Sequence, residues 1–289
     1  MECHRRLGKW PSGLASLVGL TAAVTLVLRC AFWAAPRPLA GCRAESPLLV
    51  GPRPVNLSST PPTLEEIGKR SASVLPGGLY HPPDCEAQHR VAVVVPYRKR
   101  AMHLRALLCH LHPFLQRQQI HYRIYVVEQW GDGTFNKGKL LNAGIREVLR
   151  DEDWSCIVIH DVDLLAENDR NLYTCDKCNP THLAVAIDKF HYRVALAGMK
   201  VMRPPLAIAR YKMIKHHRDR GNEENPYNFV LRNRTALAWY VDGLNSLTYK
   251  LLSKEQEPLY TRLAINVGEK PRPWVQEETT PDKTATSPD

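Results

Sequence analysis

The sequence contains no internal repeat and none of the common patterns that read nucleic acids. It has no helix-turn-helix pattern, no zinc-finger spacing and no RNP-like aromatic motif, which argues against a nucleic-acid partner. The net charge is nevertheless +10, so phosphate groups or a membrane surface remain as acidic partners. A length of 289 residues with 44% hydrophobic residues allows one large domain of about 200 residues and an appendage.

Charge is absent from one stretch near the N-terminus, which runs from Trp10 to Leu28. Its length is close to the roughly 20 apolar residues that span a bilayer. Arg5, Arg6 and Lys9 precede it, and positive flanks stay on the cytoplasmic side. We therefore expect a cytoplasmic tail at 1–9, a transmembrane signal-anchor at 10–28 and the rest of the chain in the lumen. A cleaved signal peptide is the alternative.

Two further features fit a lumenal location. Asn56 and Asn233 each begin a glycosylation sequon, and the eight cysteines could form disulfides in an oxidising compartment. Taken alone, these features would also fit a secreted, disulfide-rich binding module. Composition predicts a Pro-rich stem and lead-in at 29–84, a folded domain at 85–268 and a disordered tail at 269–289.

The pattern of apolar residues within the domain predicts an α/β fold. Buried-strand runs occur at 91–95, 123–127 and 157–159, and helical spacing of leucines occurs at 103–115 and 139–149. Strands that alternate with helices form a mostly parallel sheet. The run at 157–159 reads as a buried strand.

Charged residues follow two of these strands. Asp161 and Asp163 come after the third strand, and Pro96-Tyr-Arg-Lys-Arg100 ends the first. Open α/β sheets bind ligands at the carboxyl ends of their strands, where a carboxylate pair can hold a divalent metal and its diphosphate. Guanidinium groups suit diphosphate and uracil recognition. Taken alone, each motif is better explained as a polar turn, but their joint position favours a nucleotide-sugar site.

Two other blocks carry candidate chemistry. Residues 135–144, FNKGKLLNAG, open the second helix, where Asn136 could cap the helix and the lysines could face phosphate. Downstream, Met213 and His216 lie three residues apart. A thioether with an imidazole is an unusual ligand pair. Taken alone, Met213 would be interpreted as a core residue and His216 as a surface side chain.

Taken together, these blocks resemble the β-1,4-galactosyltransferase family. The matching segments run in family order from about residue 42 to 268, and the HDVDL and END variants are most similar to the type 3 branch. They are ESPLLVGP, VVVPYRKR, LHPFLQRQQ, FNKGKLLNAG, HDVDLLAENDRNLYTC, AIDKF, YKMIKH, GNEENP and DGLNSLTYKLL.

The resemblance implies a GT-A-like nucleotide-sugar-binding fold and a Golgi-membrane, single-pass type II hexosyltransferase. It would transfer galactose from UDP-galactose to terminal N-acetylglucosamine on glycoproteins or glycolipids, with inversion and with Mn²⁺. By motif position, the UDP-binding residues are Pro96, Tyr97, Arg98, Arg100, Val162, Asp163 and Lys189. The metal ligands are Asp163, Met213 and His216, and the disulfides are Cys42–Cys85 and Cys156–Cys175.

One part of the family pattern is missing. In the family, a long block with a Trp-Gly-Trp loop and a Glu-Asp-Asp run follows the Asp-Lys-Phe segment, whereas here Arg193 passes straight into Val194. That block carries the family's catalytic base, so no catalytic residue is assigned and roughly forty residues are absent by comparison with the motif order. The alternative function is therefore a catalytically impaired isoform or gene-model fragment that retains only UDP, metal or partner binding.

Overall fold

A computed structural model describes residues 39–55, 60–185, 197–215, 237 and 241–268. The chain divides into two units, Met1–Ala40 and Gly41–Asp289, and the second contains the elements described below. Within the described ranges no helix is long and apolar enough to cross a membrane. The predicted anchor at 10–28, the junction at 193/194 and the tail at 269–289 lie outside these ranges.

Helices and strands alternate through the first half of the second unit. The helices are α1 (Leu64–Arg70), α2 (Ala101–Arg117) and α3 (Lys137–Val148). The strands are β1 (Leu79–Tyr80), β2 (Arg90–Tyr97), β3 (His121–Gln129), β4 (Cys156–Ile159), β5 (Leu164–Ala166), β6 (Tyr211–Met213), β7 (Lys250–Gln256) and β8 (Thr261–Asn266). The three strands and two helices predicted from periodicity are confirmed, each extended or shifted by a few residues.

The larger sheet has the order β4-β2-β3-β8-β7. Strands β4, β2, β3 and β8 are mutually parallel, β7 runs antiparallel on β8, and β1 pairs antiparallel with β3. A mostly parallel α/β sheet was expected and is confirmed. A second, two-stranded antiparallel sheet consists of β5 and β6.

Both faces of the central strand β2 are covered, because its side chains alternate between two helices. Val91, Val93 and Val95 join the apolar cluster that contains the leucines of α2. Ala92 and Val94 join the cluster that contains the apolar side of α3. All five residues have no solvent-exposed surface, which is typical of a parallel strand that is buried on both faces.

Strand β4 differs from the expectation of a buried strand. Ile159 is 45% exposed, and Cys156, Ile157 and Val158 are only partly buried. Within the described part of the chain, β4 pairs with β2 on one side and has no strand on the other, so it forms an edge of the sheet. An edge strand has less of its surface covered than β2, and this position explains the exposure.

The lead-in to the domain contributes to the same core. Helix α1 begins with a capping box in which the Thr63 side chain accepts from the Glu66 N–H and Glu66 reaches back to the Thr63 N–H. Ile67, on α1, is 1% exposed and belongs to the cluster on the α2 side of the sheet. Residues that precede position 85 therefore help to close one face of the sheet.

Helix α3 approaches β3 so closely that only glycine fits at one position. A β-carbon built at Gly144 would lie 2.6 Å from Val127 Cγ2, whereas one at Gly138 in the same helix would meet nothing within 4 Å. We expect Gly144→Ala to lower the free energy of unfolding by about 1–3 kcal/mol through overpacking. Gly138→Ala is the matched control and should raise it by up to about 1 kcal/mol through helix propensity.

Urea unfolding of the two variants and the parent chain measures both effects. Equal midpoints for Gly144→Ala and the parent would contradict the close approach of α3 to β3.

Candidate functional site

The carboxyl ends of β2 and β4 lie side by side. The two strands pair in parallel register from Val91 with Cys156 to Val94 with Ile159, and the His160 N–H donates to the Val94 carbonyl at 3.0 Å. The segment Pro96–Arg100 and the Asp161–Asp163 pair therefore leave the sheet at one edge. The structure brings together the two motifs that the sequence analysis placed at strand ends.

An ion pair joins these two motifs directly. Arg100 Nη1 lies 3.6 Å from Asp163 Oδ2, and the two side chains are only 14% and 15% exposed. Arg100 is the residue that immediately precedes α2. The carboxylate that the family pattern assigns to the metal is thus already compensated by a guanidinium in a poorly solvated position.

The loop between β3 and α3 packs on the rest of the first motif. Arg98 donates to the Gly133 carbonyl at 2.7 Å, and its guanidinium lies 5.0 Å from the ring centroid of Phe135. Lys99 pairs with Asp132 at 2.6 Å and has a positive φ of 50°, which turns the chain sharply between β2 and α2. This loop is therefore part of the site, a role that the sequence analysis did not assign to it.

The first turn of α3 reaches the other carboxylate. Lys137 Nζ forms an ion pair with Asp161 Oδ1, and the Asn136 side chain caps the helix by accepting from the Lys139 N–H at 3.1 Å. The predicted cap is confirmed. The partnership of Lys137 with Asp161 was missed, although the lysines of the FNKGK segment at a helix start were the signal for it.

Tyr97 and Val162 complete the described part of the predicted nucleotide site. Val162 is 6% exposed and packs in the cluster on the α2 side of the sheet. Burial, followed by the charge of Glu128, raises the pKa of Tyr97, so its phenol stays protonated and available as a hydrogen-bond donor. Lys189 lies outside the described residues.

The small sheet places Met213 beside Asp163. Met213 pairs with Leu164 across the β5–β6 ladder, and the Ile214 N–H donates to the Asp163 carbonyl at 2.8 Å. Met213 is 53% exposed, so its sulfur is accessible. The described residues contain no group of three or more His, Cys, Asp or Glu side chains that could hold a metal, and His216 lies outside them. Asp163, which immediately precedes β5, and Met213, which ends β6, supply the carboxylate and the thioether of the expected ligand set.

Aromatic side chains hold the small sheet against the main one. The hydroxyls of Tyr173 and Tyr211 lie 3.0 Å apart, and the ring of His160 contacts both rings at centroid distances of 6.0 and 6.1 Å. Burial lowers the pKa of His160, so the imidazole is held neutral. His160 therefore packs as an aromatic residue behind the carboxylates rather than adding a charge to the site.

Both disulfides that the resemblance implies are present. Cys156–Cys175 joins the start of β4 to the segment after β5 and encloses the Asp161–Asp163 loop, and Cys42–Cys85 closes the lead-in. Closing a loop of 19 residues contributes about 3 kcal/mol in the chain-entropy account. Cys109 and Cys178 are free thiols, and the sequons at Asn56 and Asn233 lie outside the described residues.

A buried carboxylate links the loop after β5 to the lead-in. Asp169, whose side chain is 1% exposed, pairs with Arg117 Nε at 2.6 Å. It also accepts from the backbone N–H groups of Val50 and Gly51. Burial alone would raise the pKa of Asp169, but Arg117 and the two N–H groups hold it below its usual range. Sequence reasoning did not single out Asp169, because the segment Glu167-Asn-Asp169 has the composition of an ordinary polar turn.

Comparison with known proteins gives a consistent set of relatives. The N-terminal region of glycosyl transferase group 7 matches as a family model over residues 42–176. The chain is 49% identical to β-1,4-galactosyltransferase 3 of Bos taurus over 82% of this chain and 70% of the relative. It is also 49% identical to β-1,4-galactosyltransferase 3 of Homo sapiens, over 82% of this chain and 71% of the relative. Identity to β-1,4-galactosyltransferase 1 of Homo sapiens is 39% over 80% of this chain and 68% of the relative.

Solved structures share the fold. A mutant of Drosophila β1,4-galactosyltransferase 7, in complex with manganese, UDP-Gal and xylobiose, matches with a TM-score of 0.52 and 23% identity. The match covers 63% of this chain and 95% of that one. The catalytic domain of the same Drosophila enzyme with xylobiose matches over the same shares with a TM-score of 0.50.

The sequence alignments are longer than the part of this chain that they cover. The bovine alignment runs over 279 positions, but 82% of 289 residues is about 237, so about 42 positions have no residue of this chain. The alignment with the human type 1 protein runs over 271 positions and covers 80%, or about 231 residues, which leaves about 40. Both alignments therefore contain about 40 positions at which the relative has a residue and this chain has none.

Asp169 gives the domain a specific sensitivity to acid. A carboxylate whose pKa is depressed on folding stabilises the fold above its unfolded pKa of about 3.9, and this contribution is lost as the pH falls through the folded value. We expect Asp169→Asn to lower the free energy of unfolding by about 3 kcal/mol at pH 7, because it leaves Arg117 unpaired. The cost should shrink at pH 3, where the parent chain begins to lose the same contribution.

The measurement is urea unfolding at both pH values. The exposed Asp153 serves as the control, and Asp153→Asn should change the free energy of unfolding by less than about 0.5 kcal/mol. A cost for Asp169→Asn that is the same at both pH values would contradict the assignment of this pH dependence to Asp169.

Proposed function

The chain belongs to the β-1,4-galactosyltransferase family, and on that premise we propose that the paired ends of β2 and β4 bind UDP-galactose. The galactose would pass, with inversion, to terminal N-acetylglucosamine on glycoproteins or glycolipids. The observation that carries the proposal is the Arg100–Asp163 ion pair, because it joins the two motifs with which the family contacts UDP and metal.

The charges at this edge are arranged as exchangeable pairs. Arg100 compensates Asp163, and Lys137 compensates Asp161. A divalent cation would take over the carboxylates, and the diphosphate that arrives with it would take over the two cationic side chains. Metal and donor would therefore replace the existing ion pairs together, and no carboxylate or cationic side chain would be left unpaired. This arrangement predicts that each ligand binds much more weakly without the other.

Asp163, Met213 and His216 would hold the metal. Asp163 immediately precedes β5 and Met213 ends the neighbouring strand β6, and a thioether with an imidazole favours an ion softer than Mg²⁺. We propose Mn²⁺, a choice supported by the manganese complex of the Drosophila relative. When bound, the ion would supply electrostatic stabilisation of the leaving diphosphate.

The uridine would lie against the first motif. Pro96 and Tyr97 end β2 and Arg98 follows it, with Val162 and Lys189 as further contacts. The guanidinium of Arg98 lies 5.0 Å from the Phe135 ring centroid and donates to the Gly133 carbonyl, and these two contacts restrain its fork of donors. A fixed donor fork suits the carbonyls of a uracil or the oxygens of a phosphate.

The second candidate function is donor binding without efficient transfer. Inverting transfer needs a base that removes the proton from the attacking hydroxyl. The family's base lies in the block that is missing between Arg193 and Val194, and the gaps of about 40 positions in the alignments support that deletion.

Donor binding and transfer can be separated by experiment. Calorimetry with UDP should show binding that depends on Mn²⁺, and Asp163→Asn should weaken it at least about tenfold by removing a charged ligand. A radiolabelled transfer assay to N-acetylglucosamine separates the two candidates: transfer supports the first function, and background transfer with UDP binding retained supports the second. Glu65→Gln is the control, because Glu65 lies in an exposed pair with Lys69 on α1, and it should leave UDP affinity unchanged.

Donor binding and galactose transfer are tested independently of each other. Robust galactose transfer would show that the missing block is dispensable, and the chain would then be a competent enzyme. Absence of UDP binding by a folded preparation would remove the donor site.

The run at 10–28 is proposed to anchor the chain in the Golgi membrane with the domain in the lumen. A reporter fused to the C-terminus should be protected from protease in sealed microsomes, because the basic residues before the run stay cytoplasmic. Detergent should abolish the protection. Cleavage of the reporter in intact microsomes would reverse the proposed topology.

A further inference from the structure

A depression outside the candidate site lies between the second half of α3 and the start of β7. Its volume is about 470 Å³, within the range of about 300–1,000 Å³ that is usual for ligand pockets. The residues that line it have no role in the proposed donor site.

The floor of this depression is apolar. Leu247, Tyr249 and Leu251 line it, and all three pack on the core cluster that α3 shares with the sheet while retaining exposed surface. Such a floor is typical of a surface that binds an apolar side chain.

The rim of the depression has an excess of positive charge. Arg146 lies on the exposed side of α3 and the exposed Arg150 lies two residues beyond its end, with Glu147 between them in sequence. Glu147 accepts from Arg150 Nη1 at 2.8 Å and from the Tyr249 hydroxyl. Among the described residues no carboxylate lies within ion-pair distance of Arg146. An occupant with an apolar group and more than one carboxylate would complement both floor and rim.

We propose that the chain's own segment 274–278 docks in this depression. Its sequence is Trp-Val-Gln-Glu-Glu, so Trp274 and Val275 would cover the leucines. Glu277 and Glu278 would face Arg146 and Arg150. The tail as a whole is too polar to form a core of its own, and such segments gain structure by docking on a preformed surface.

The chain leaves the described domain close to the depression. After β8, the Gly268 N–H donates to the Asn266 side chain at 2.8 Å, and Gly268 has a φ of +71°, which turns the backbone. A β-carbon at Gly268 would lie 3.9 Å from Lys139 Nζ, and Lys139 donates to Thr248, which lines the depression, at 3.4 Å.

The remaining distance is short enough for the segment to cross. Arg146 is seven residues beyond Lys139 on α3, or about 10 Å along the helix axis. Trp274 lies six residues beyond Gly268, and these six steps along the chain span up to about 20 Å when extended. Because the segment is tethered beside its site, it docks at a high effective concentration, and weak contacts are sufficient.

Hydrogen–deuterium exchange on the full chain tests the docking. We expect Trp274→Ala to speed amide exchange about tenfold in the peptides that cover 143–151 and 244–252, because the covering segment is lost. The double change Glu277→Lys with Glu278→Lys should have a similar effect through charge repulsion. Adding Arg146→Glu to that pair should restore part of the protection. Lys283→Ala, in the same tail beyond the segment, is the matched control and should change nothing.

Two outcomes would overturn the proposal. One is exchange in these peptides that is unchanged by both Trp274→Ala and the double charge reversal. The other is protection that rises with protein concentration but does not depend on Trp274, which would assign the depression to a second copy of the chain. Neither outcome depends on UDP binding, so the donor-site proposal stands or falls separately.

Discussion

The buried parallel strand β2 is the constraint on which the rest of the structure depends. It pairs with β3 on one side and β4 on the other, and its side chains alternate between the helices α2 and α3. A strand held on two edges and two faces has no freedom to shift by one residue, since every side chain would change faces. Its register therefore fixes where β4 ends, and with it the distance between Arg100 and Asp163.

The candidate site combines this rigid edge with elements that are held from outside the sheet. The Asp161–Asp163 loop is enclosed by the Cys156–Cys175 disulfide and is supported by β6 through a backbone hydrogen bond at Asp163. The carboxylates are paired with cations from two different helix starts. Charges that are already paired cost less to keep in a poorly solvated cleft than isolated charges.

Sequence reasoning succeeded where the signal was local. The valines of β2, the leucines of α2 and the Asn136 cap all follow from residue type and spacing, and the structure confirms them. Strands β7 and β8 were not predicted as strands. In β7 most side chains are exposed, so a buried-strand pattern is missing, and β8 carries the polar Thr261 in the core, where it bonds to the Gly77 carbonyl at 2.9 Å.

Other features of the site depend on contacts between distant segments. The pairing of Lys137 with Asp161 joins residues 24 apart in sequence, and Asp169 reaches N–H groups 118 and 119 residues away. No periodicity encodes such contacts. The expectation of a buried β4 was wrong for a related reason: composition shows that Cys156–Ile159 is apolar, but not that the strand would lie at an edge of the sheet.

Most of the candidate site rests on the first half of the described chain. Strand β2, Arg100 and Lys137 lie before position 186, and among the described residues the later part of the chain contributes to the two core clusters through 211–214 and 247–267. Ile159 on β4 is exposed, whereas the side chains of β2 are covered by the α2 cluster on one face and the α3 cluster on the other. The positions of Arg100 and Asp163 therefore depend on the packing of β2 rather than on the side of β4 that is exposed.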